Sequence, residues 1–579
     1  MKPVIDPRHG DIEDDASSTK QRSLLSIAGS LLVEISIAKL IIVWTLLLIV
    51  PGLLLGLTPL ITSLWLSKVT DKIASLVIGV WSFALLAGII GVGWFGWRAL
   101  LRLTEKNFWS LNSIVVEPSY ALCREGLRHL AELLLPKTAR ERTRTKLRAF
   151  AAALAGLLVC GMAVAILAMA WSHAHLYGTF SEFGSWTTVA YVALANSVVI
   201  LTAYLAVAAL IWGFADAAMA QPQDLKAFPA RPPKARRFRV AHLSDIHVVA
   251  GNFGFRIESG RAGARGNDRL RRLLVQLETL DRKARLDAIL ISGDMTDAGT
   301  SAEWAELMDI LSAHPRLTNR MYMLPGNHDL NIVDRANPAR MDLPTTPNRR
   351  LRQIRALSAL GAIQGSRVRL IDREKERVGE TLDKALRRHK VEFARFADSG
   401  RPSLSNRIPD LWASMFPMVA PPDRDGGLGL ILLNSNADTH FSFTNALGMI
   451  TAEQMKAIDI VCSEYANANW ILALHHHVVE YPWAAKAFSE RIGTALINGN
   501  WFVRRLQHLA GRMVVMHGHR HIDWIGSIAG MPLVSAPSPV MEATNDMDTA
   551  FYIHSLAVSP GGDLKLLKPK RIVVRGKAE

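Results

Sequence analysis

The sequence has few cysteines, and they form no pattern. Its 579 residues include three, Cys123, Cys160 and Cys462, which are far apart and in no metal-ligand spacing. This excludes a disulfide scaffold and a cysteine-rich zinc module, and the low count fits a reducing compartment. A basic start followed by a short apolar core is also lacking, so we expect no cleavable secretory signal. Residues 1–24 are polar and predict a disordered N-terminal tail.

Four long apolar runs contain no Lys, Arg, Asp or Glu. They cover approximately residues 40–66, 76–97, 150–171 and 188–214. Each reaches the ~20 residues that a helix needs to cross a bilayer, and buried helices of soluble domains rarely run so long without a charge. The sequence therefore predicts an N-terminal all-α transmembrane region, residues 25–220, with four helices. The absence of charges inside these helices argues against ion transport.

The loop charges predict the orientation of these helices. Residues 98–148 carry eleven Lys and Arg, whereas residues 172–186 carry none. The positive-inside rule places the basic loop and everything after residue 220 in the cytoplasm, although Lys68 and Lys72 oppose this weakly. We therefore expect an integral multi-pass membrane protein whose C-terminal half lies on the cytoplasmic side. Within the basic loop, residues 120–135 have helical apolar spacing, which fits either a helix on the membrane surface or a solvated connecting helix.

A formal net charge of +16 favours anionic partners such as phosphates, lipid head groups or nucleic acid. Residues 221–237 contain four prolines and five basic residues. This composition predicts a stiff, basic linker that lies close to an anionic leaflet.

From Phe238 the pattern changes to short apolar strands that alternate with amphipathic helices, which predicts an α/β domain over residues 238–567 and a basic C-terminal tail over 568–579. Predicted strands are Arg239–Leu243, Ala288–Ile291, Arg320–Leu324, Leu428–Leu433, Trp470–Leu474 and Met513–Met516. Predicted helices are Asp268–Leu280, Ala302–Ala313 and Ala452–Tyr465.

Most of these strands end directly in polar residues that can bind metal, at the edge of an α/β sheet where sites are built. There are five such stretches: Ser244–His247, Gly293–Asp297, Leu324–Asp329, His475–His477 and Gly518–His521. Each alone is more often a surface turn or a solvated loop. Five strand ends of this kind in one domain are far less expected by accident.

In this order the five stretches resemble the motifs of the calcineurin-like metallophosphoesterase superfamily, Asp-x-His, Gly-Asp-x-x-Asp, Gly-Asn-His-Asp, a later His and Gly-His-x-His. The resemblance covers about residues 238–567. It implies a four-layer αββα sandwich, here with a basic helical insert at residues 330–427, and hydrolysis of phosphoric esters with two metal ions.

The resemblance also implies individual roles. The expected ligands of one metal are Asp245, His247, Asp294 and His521, and those of the other are Asp294, Asn327, His475 and His519. His328 is expected to contact the phosphate and assist the leaving group, with Asp329 orienting it and Asp297 supporting the site. The family usually has a proline soon after the fourth-motif histidine, and its absence here leaves His475 and His476 as alternatives, of which His475, the first residue past the strand, is favoured.

The residue chemistry agrees with two divalent or transition metal ions. Imidazole and oxygen donors together suit Mn, Fe, Zn or Co better than Ca. Two such ions about 3.5–4 Å apart clamp phosphoryl oxygens and lower the pKa of a bridging water, so that a metal-bridging hydroxide can attack phosphorus. We find no side-chain nucleophile with a suitable partner.

The insert is rich in basic residues, namely Arg349, Arg350, Arg352, Arg355, Arg387, Arg388 and Lys390, and residues 374–396 predict a charged helix. Two interpretations stay open, a solvated helical cap or a lid that attracts an anionic substrate. Asn434 and Asn436, at another strand end, fit turn residues or substrate contacts.

The sequence as a whole predicts a membrane-anchored, metal-dependent phosphoesterase acting on a phosphomonoester, phosphodiester or diphosphate, with a lipid-linked substrate or anchoring near a partner protein as equal alternatives. A non-catalytic membrane receptor or scaffold on the same fold is a rival, opposed by the complete ligand set. A metal-dependent nuclease is another, but the basic run 349–355 has no interleaved aromatic residues for base stacking, so nucleic acid is disfavoured as a partner.

Overall fold

The computed structural model describes most of the chain beyond residue 140 and parts of the region before it. The described residues are 41, 45, 49–76, 116–135, 141–178, 183–250, 255–256, 261–262, 265–333, 340, 347–399, 407–439, 442–482, 496–540 and 547–576. They fall into two compact units that divide between residues 219 and 220.

The N-terminal unit is helical in the residues described. Its helices are α1 (Val50–Leu76), α2 (Glu117–Leu134), α3 (Glu141–Trp171) and α4 (Trp186–Ala217). Three stretches of them, Val50–Thr70, Thr143–Trp171 and Trp186–Ala217, are long and apolar enough to cross a membrane. They overlap the first, third and fourth predicted spans. The second predicted span, 76–97, lies outside the described residues except for its first, and so does the predicted tail 1–24.

Small and polar residues connect these apolar helices. Gly156 of α3 and Gly213 of α4 face each other so closely that a Cβ added to either would lie about 3 Å from the other's Cα. In α4, the buried Asn196 accepts a hydrogen bond from the backbone N–H of His175 and donates to the carbonyl oxygens of His175 and Gly56. Close small-residue contacts and buried amide hydrogen bonds are typical of helix packing in an apolar environment.

The C-terminal unit contains two large mixed sheets. The first has nine strands in the order β1-β13-β14-β12-β11-β10-β9-β7-β8, and the second has β16-β15-β2-β5-β6, with β17 paired to β15. In the first sheet β10, β11, β12 and β14 run parallel, and in the second β2, β5 and β6 do. A single apolar core includes residues of both sheets, although the four-layer arrangement itself stays a prediction.

The strands are short and mostly buried on both faces, as expected of parallel sheets. Their bounds are β1 Gln223–Asp224, β2 Arg236–Leu243, β3 Phe255–Arg256, β4 Arg261–Ala262, β5 Ala288–Ile291, β6 Met321–Met323, β7 Arg369–Asp372, β8 Arg377–Thr381, β9 Met418–Ala420, β10 Leu428–Leu432, β11 Asn469–Ala473, β12 Met513–His517, β13 Trp524–Ile528, β14 Met531–Ser535, β15 Thr549–Val558, β16 Leu564–Leu566 and β17 Lys570–Val574.

Helices connect the strands of this unit. They are α5 Arg265–Lys283, α6 Ser301–Ser312, α7 Pro315–Thr318, α8 Asn327–Leu330, α9 Asn348–Gln364, α10 Leu382–Ser399, α11 Ile408–Ser414, α12 Ala452–Glu464 and α13 Gly499–Leu506. The six predicted strands and three predicted helices all occur, and none of their ends is shifted by more than three residues.

Three predicted segments have a different structure from the one expected. The basic tail 568–579 includes β17, which pairs with β15. The insert 330–427 is not only helical, because β7, β8 and β9 extend the nine-stranded sheet, and β8 occupies the beginning of the charged helix predicted at 374–396. The predicted linker 221–237 pairs its residues 223–224 with β13 and packs Leu225 and Phe228 on the core.

Candidate metal centre

The predicted site residues follow five parallel strands. Asp245 and His247 come after β2, Asp294 after β5 and Asn327 after β6, all in one sheet, while His475 follows β11 and the Gly-His-x-His stretch follows β12 in the other. The carboxyl ends of parallel strands in a sheet meet at one edge. All the predicted ligands are fully buried except His521, which is partly exposed.

The first predicted ligand set is close in space. Nε2 of His521 lies 3.3 Å from Oδ1 of Asp245 and 3.3 Å from Nε2 of His247. Nε2 of His247 in turn lies 3.7 Å from Oδ2 of Asp294. Four candidate donor atoms from three strand ends therefore face one small volume.

The second predicted set meets the first at the same carboxylate oxygen. Nε2 of His475 lies 3.2 Å from Oδ2 of Asp294, 3.0 Å from Oδ1 of Asn327 and 3.1 Å from Nδ1 of His519. Asp294 Oδ2 thus stands between the two sets, which is where a bridging ligand would be placed.

These separations fit atoms that share a metal ion. With metal–ligand bonds of about 2.0–2.2 Å, neighbouring ligands of a tetrahedral or octahedral ion lie about 3–3.6 Å apart. Two imidazole nitrogens 3.1 or 3.3 Å apart can share one proton in a hydrogen bond. The same separation fits two nitrogens that bind one cation. The donor set is imidazole and oxygen, which suits divalent first-row metals.

Neighbouring groups fix the tautomers of two of these histidines. Nδ1 of His475 donates to the carbonyl oxygen of Ser292 at 2.9 Å, and Nδ1 of His247 lies 3.1 Å from the carboxylate of Asp297. Each interaction directs Nε2 toward the ligand cluster and raises its basicity, as in carboxylate–histidine–metal triads. Asp297 therefore supports the site from behind His247.

The backbone is strained at the predicted ligands. Eight non-glycine residues in the described part of the chain have positive φ, and five of them are Asp245, His247, Asp294, His519 and His521, with φ between 47° and 77°. Each such conformation costs about 1–3 kcal/mol and persists where function requires it. The strain turns these side chains toward one point at the sheet edges.

Two motif glycines are required by close approach. A Cβ on Gly326 would lie 2.1 Å from Oδ1 of Asp294, and one on Gly518 would lie 1.8 Å from Oγ of Ser244 and 2.5 Å from Oδ2 of Asp245. No side chain fits at either position without displacing a predicted ligand.

The electrostatics of the cluster favour positive charge. Burial alone would raise the pKa of Asp294, but the imidazoles of His475 and His328 hold that pKa well below its usual range. Conversely, burial would lower the pKa of His475, but Asp294 outweighs this effect and raises it to about 9. The buried carboxylates therefore stabilise a cation here, whether an imidazolium or a metal ion.

His328 is fixed by the backbone of the neighbouring loop. Its Nδ1 donates to the carbonyl oxygen of Asp297 at 2.6 Å, and its ring stands edge-on to His247 with centroids 4.5 Å apart. The sequence predicts that Asp329 orients this ring, but the structure gives that contact to the carbonyl of Asp297.

The carboxylate of Asp329 connects two motif loops instead. It accepts hydrogen bonds from the backbone N–H of Gly326 and from the N–H and hydroxyl of Thr296, all at 2.7–2.9 Å. Burial, together with the nearby Asp294, raises the pKa of Asp329 to about 6. Asp329 therefore connects the loops of the second and third motifs by hydrogen bonds.

Only one of the two candidate histidines at the fourth motif lies in the ligand cluster. His475 makes the contacts given above, whereas Nδ1 of the buried His476 lies 2.9 Å from Oγ of Ser435. His477 stacks on Tyr481 and His519. Asn436 donates to the carbonyl of Pro325, in the third motif, and to Oδ1 of Asn434.

The arginines at the start of the insert point inward rather than toward solvent. On α9, Arg349 donates to the carbonyls of Thr439 and Ala437, Arg352 to that of Leu330 at 2.8 Å, and Arg355 to that of Gly299 at 3.1 Å. All three side chains are buried. Leu330 and Gly299 lie just past the third and second motifs, so these arginines hold the loops that carry the site. By contrast, Arg387, Arg388 and Lys390 of α10 are exposed.

Two residues that hold the site loops were not predicted from the sequence. Glu303 caps α6 and accepts from the N–H groups of Ala298 and Thr300, thereby holding the loop after Asp297. Ser538 donates to the carbonyl of Asp245 at 2.6 Å. Thr300 followed three residues later by Glu is a capping-box pattern that could have revealed Glu303, whereas nothing near Ser538 indicates its contact.

The donor set and its place at the strand ends define a candidate metal centre. Residues 238–523 match the calcineurin-like phosphoesterase family, and this part of the chain is a calcineurin-like phosphoesterase domain.

Comparison with individual proteins finds short or distant similarity. A stretch of 101 residues, 17% of this chain, is 27% identical to a probable cyclic nucleotide phosphodiesterase of Coxiella burnetii and covers 36% of that protein. Among solved structures, a calcineurin-like phosphoesterase from Bacillus subtilis is 12% identical, with a TM-score of 0.29, over 59% of this chain and 91% of the other. An NAD nucleotidase from Haemophilus influenzae is 12% identical, with a TM-score of 0.29, over 59% and 57%.

Proposed function

We propose that the protein is a membrane-anchored, two-metal phosphoesterase that hydrolyses a phosphomonoester, phosphodiester or diphosphate. The observation that carries this proposal is the pair of ligand sets that meet at Oδ2 of Asp294, with contacts of 3.0–3.7 Å throughout. A scaffold that had lost catalysis would not need to keep five strained ligand positions, four of them fully buried.

The residues of each set would hold one divalent ion. Asp245, His247 and His521 serve one position and Asn327, His475 and His519 the other, with Asp294 common to both. When bound, such ions polarise phosphoryl oxygens and lower the pKa of a coordinated water.

His328 is the proposed proton donor to the leaving group. Because its Nδ1 donates to the carbonyl of Asp297, its Nε2 is the nitrogen that exchanges a proton with the substrate. A proton placed on the leaving oxygen removes the need to expel an alkoxide, which contributes about 10²–10⁴-fold to a rate.

The proposed substrate is a phosphoester presented at a membrane. Three helices have the length and composition to cross a bilayer, and residues 218–222 alone separate the end of α4 from β1, which is already part of the phosphoesterase unit. Five residues reach at most about 17 Å. A short connection of this kind favours a lipid-linked phosphate or diphosphate as the substrate, and the loop charges favour the cytoplasmic side for the phosphoesterase domain.

A cyclic nucleotide is the second candidate substrate, because the curated relative matched over 101 residues is named as a probable cyclic nucleotide phosphodiesterase. The test compares the full-length protein in vesicles on a lipid diphosphate, a lipid phosphomonoester and soluble cyclic nucleotides, with Mn²⁺ added. We expect the larger kcat/KM on a lipid substrate. A far larger value on the soluble nucleotides would show that the helices are only an anchor.

A further inference from the structure

Helix α2 directs its charged side chains toward neighbouring helices. Arg124 pairs with Asp216 of α4 at 2.7 Å, and the hydroxyl of Tyr120 donates to the same carboxylate at 3.0 Å. Arg128 pairs with Glu125 at 2.9 Å. These four α2 side chains are buried or nearly so, and the two arginines are balanced by Glu125 and by Asp216 of α4.

The C-terminal half of α2 is held in the same way. Glu132 accepts two hydrogen bonds from Arg148 of α3, at 2.8 and 3.0 Å, and both side chains are largely buried. Asp216 is the second-last residue of α4, and Arg148 lies near the beginning of α3. Helix α2 therefore packs its polar side against the first part of α3 and the last turns of α4.

The outward side of α2 is apolar. Leu122, Leu130 and Leu133 are 48%, 58% and 69% exposed, and their spacing places them on the side of the helix away from Tyr120, Arg124 and Arg128. A surface helix of a soluble protein has the opposite arrangement, with apolar residues inward and charges outward. Exposing leucines to water is unfavourable, because removal of apolar surface from water is the main term that favours burial.

The two helices that pack on α2 also expose apolar residues. Phe150 of α3 is exposed, and so are Ile211 and Phe214 of α4. These residues belong to the membrane-spanning candidates, whose outer surface requires an apolar surrounding.

We propose that α2 lies in the plane of the bilayer, with Leu122, Leu130 and Leu133 among the lipid acyl chains and its charges turned into the protein. The binding partner is the acyl-chain region just below the head groups, where such a helix buries one apolar face. This inference rests on the membrane association proposed above, and it resolves the two alternatives that the sequence leaves open for residues 120–135 in favour of the membrane.

The experiment uses full-length protein in vesicles of phosphatidylcholine and phosphatidylglycerol, in a background where Cys123, Cys160 and Cys462 are replaced by alanine and hydrolysis is retained. An environment-sensitive fluorophore is attached at Leu130→Cys or, separately, Leu133→Cys. Quenching by lipids that carry a spin label on the acyl chain reports contact with the hydrophobic layer. Leu158→Cys, on the exposed face of α3, is the membrane control, and Val275→Cys, exposed on α5, is the matched control in the phosphoesterase unit.

We expect the probes at residues 130 and 133 to be quenched to an extent comparable with residue 158, and the probe at 275 to stay unquenched. Quenching at 158 without quenching at 130 and 133 would overturn the proposal for α2 and leave membrane association intact. A blue-shifted but unquenched probe at 130 would show that a second copy of the chain covers this face, which also overturns it. If the probe at 158 is not quenched either, membrane association itself fails.

Discussion

Replacing Arg352 by methionine tests whether the insert shapes the site or attracts the substrate. Arg352 is 1% exposed, and its Nε donates to the carbonyl of Leu330, the last residue of the short helix that carries Asn327 and His328. Methionine keeps much of the apolar stem but cannot donate. The substitution therefore removes the anchor of α8 without adding bulk.

The size of the effect follows from the lost hydrogen bond. A bond from a charged donor contributes about 1.5–3 kcal/mol, and a buried carbonyl left without a partner costs about 1–3 kcal/mol. We expect Arg352→Met to lower the free energy of unfolding by about 2–4 kcal/mol. A displacement of His328 by about 1 Å would cut kcat by up to about 10²-fold, with KM changed little because no direct substrate contact is lost.

The matched control is Arg387→Met, which removes an arginine from the same insert where the side chain is 65% exposed and pairs with Asp383. A surface pair contributes about 0–1 kcal/mol, so stability and kcat should stay near those of the unaltered protein. Steady-state kinetics and thermal unfolding of both variants check this. A rise in KM for both arginine variants, with unchanged melting, would refute the structural role and restore a lid that attracts an anionic substrate.

His328→Ala should lower turnover by about 10²–10⁴-fold while metal content, measured by elemental analysis, stays at the unaltered level, and unchanged turnover would limit His328 to a structural role. Burial, reinforced by Asp297, raises the pKa of Glu303 to about 8, so this carboxyl stays protonated in the folded protein where it ionises in the unfolded one. The protonated Glu303 contributes fully to the free energy of unfolding below about pH 4.5, and this contribution is lost as the pH rises to about 8, by no more than about 1.4 kcal/mol per pH unit. Denaturant unfolding in the presence of a chelator should therefore depend less on pH in Glu303→Gln than in the unaltered protein. Parallel curves for the two proteins would contradict this. A cysteine at Tyr177 should react from outside the cell with an impermeant thiol reagent and one at Arg140 should not, and the reverse pattern would overturn the cytoplasmic orientation.

The site residues that follow the strands could be predicted from the sequence, because the fold brings the ends of parallel strands together regardless of the loops between them. Apolar runs such as Ala288–Ile291 fix the strands, and the polar residues that follow them, such as Asp294, fall at the sheet edge where the other motifs also end. The contacts among Asp245, His247 and His521 then follow from topology rather than from local sequence.

Other parts of the fold carry no comparable local signal. Strand β17 begins with two exposed basic residues, a pattern that predicts a tail, because the pairing that makes it a strand is supplied by β15. The arginines of α9 look like a solvated face, since their acceptors are backbone carbonyls at Leu330, Gly299 and Thr439, far from them in sequence. The charge pattern of a helix predicts that its arginines are exposed. Whether a backbone carbonyl lies close enough to accept a hydrogen bond from them depends on the tertiary structure.

The two-metal claim is tested most directly by measuring bound metal and hydrolysis together in Asp294→Asn. Asparagine keeps the shape of the side chain but removes the charge that both ligand sets share. The full-length protein should bind two divalent ions per chain and hydrolyse a chromogenic phosphodiester, whereas Asp294→Asn should lose at least one ion and almost all activity. Full activity in Asp294→Asn protein that holds neither ion would contradict the account.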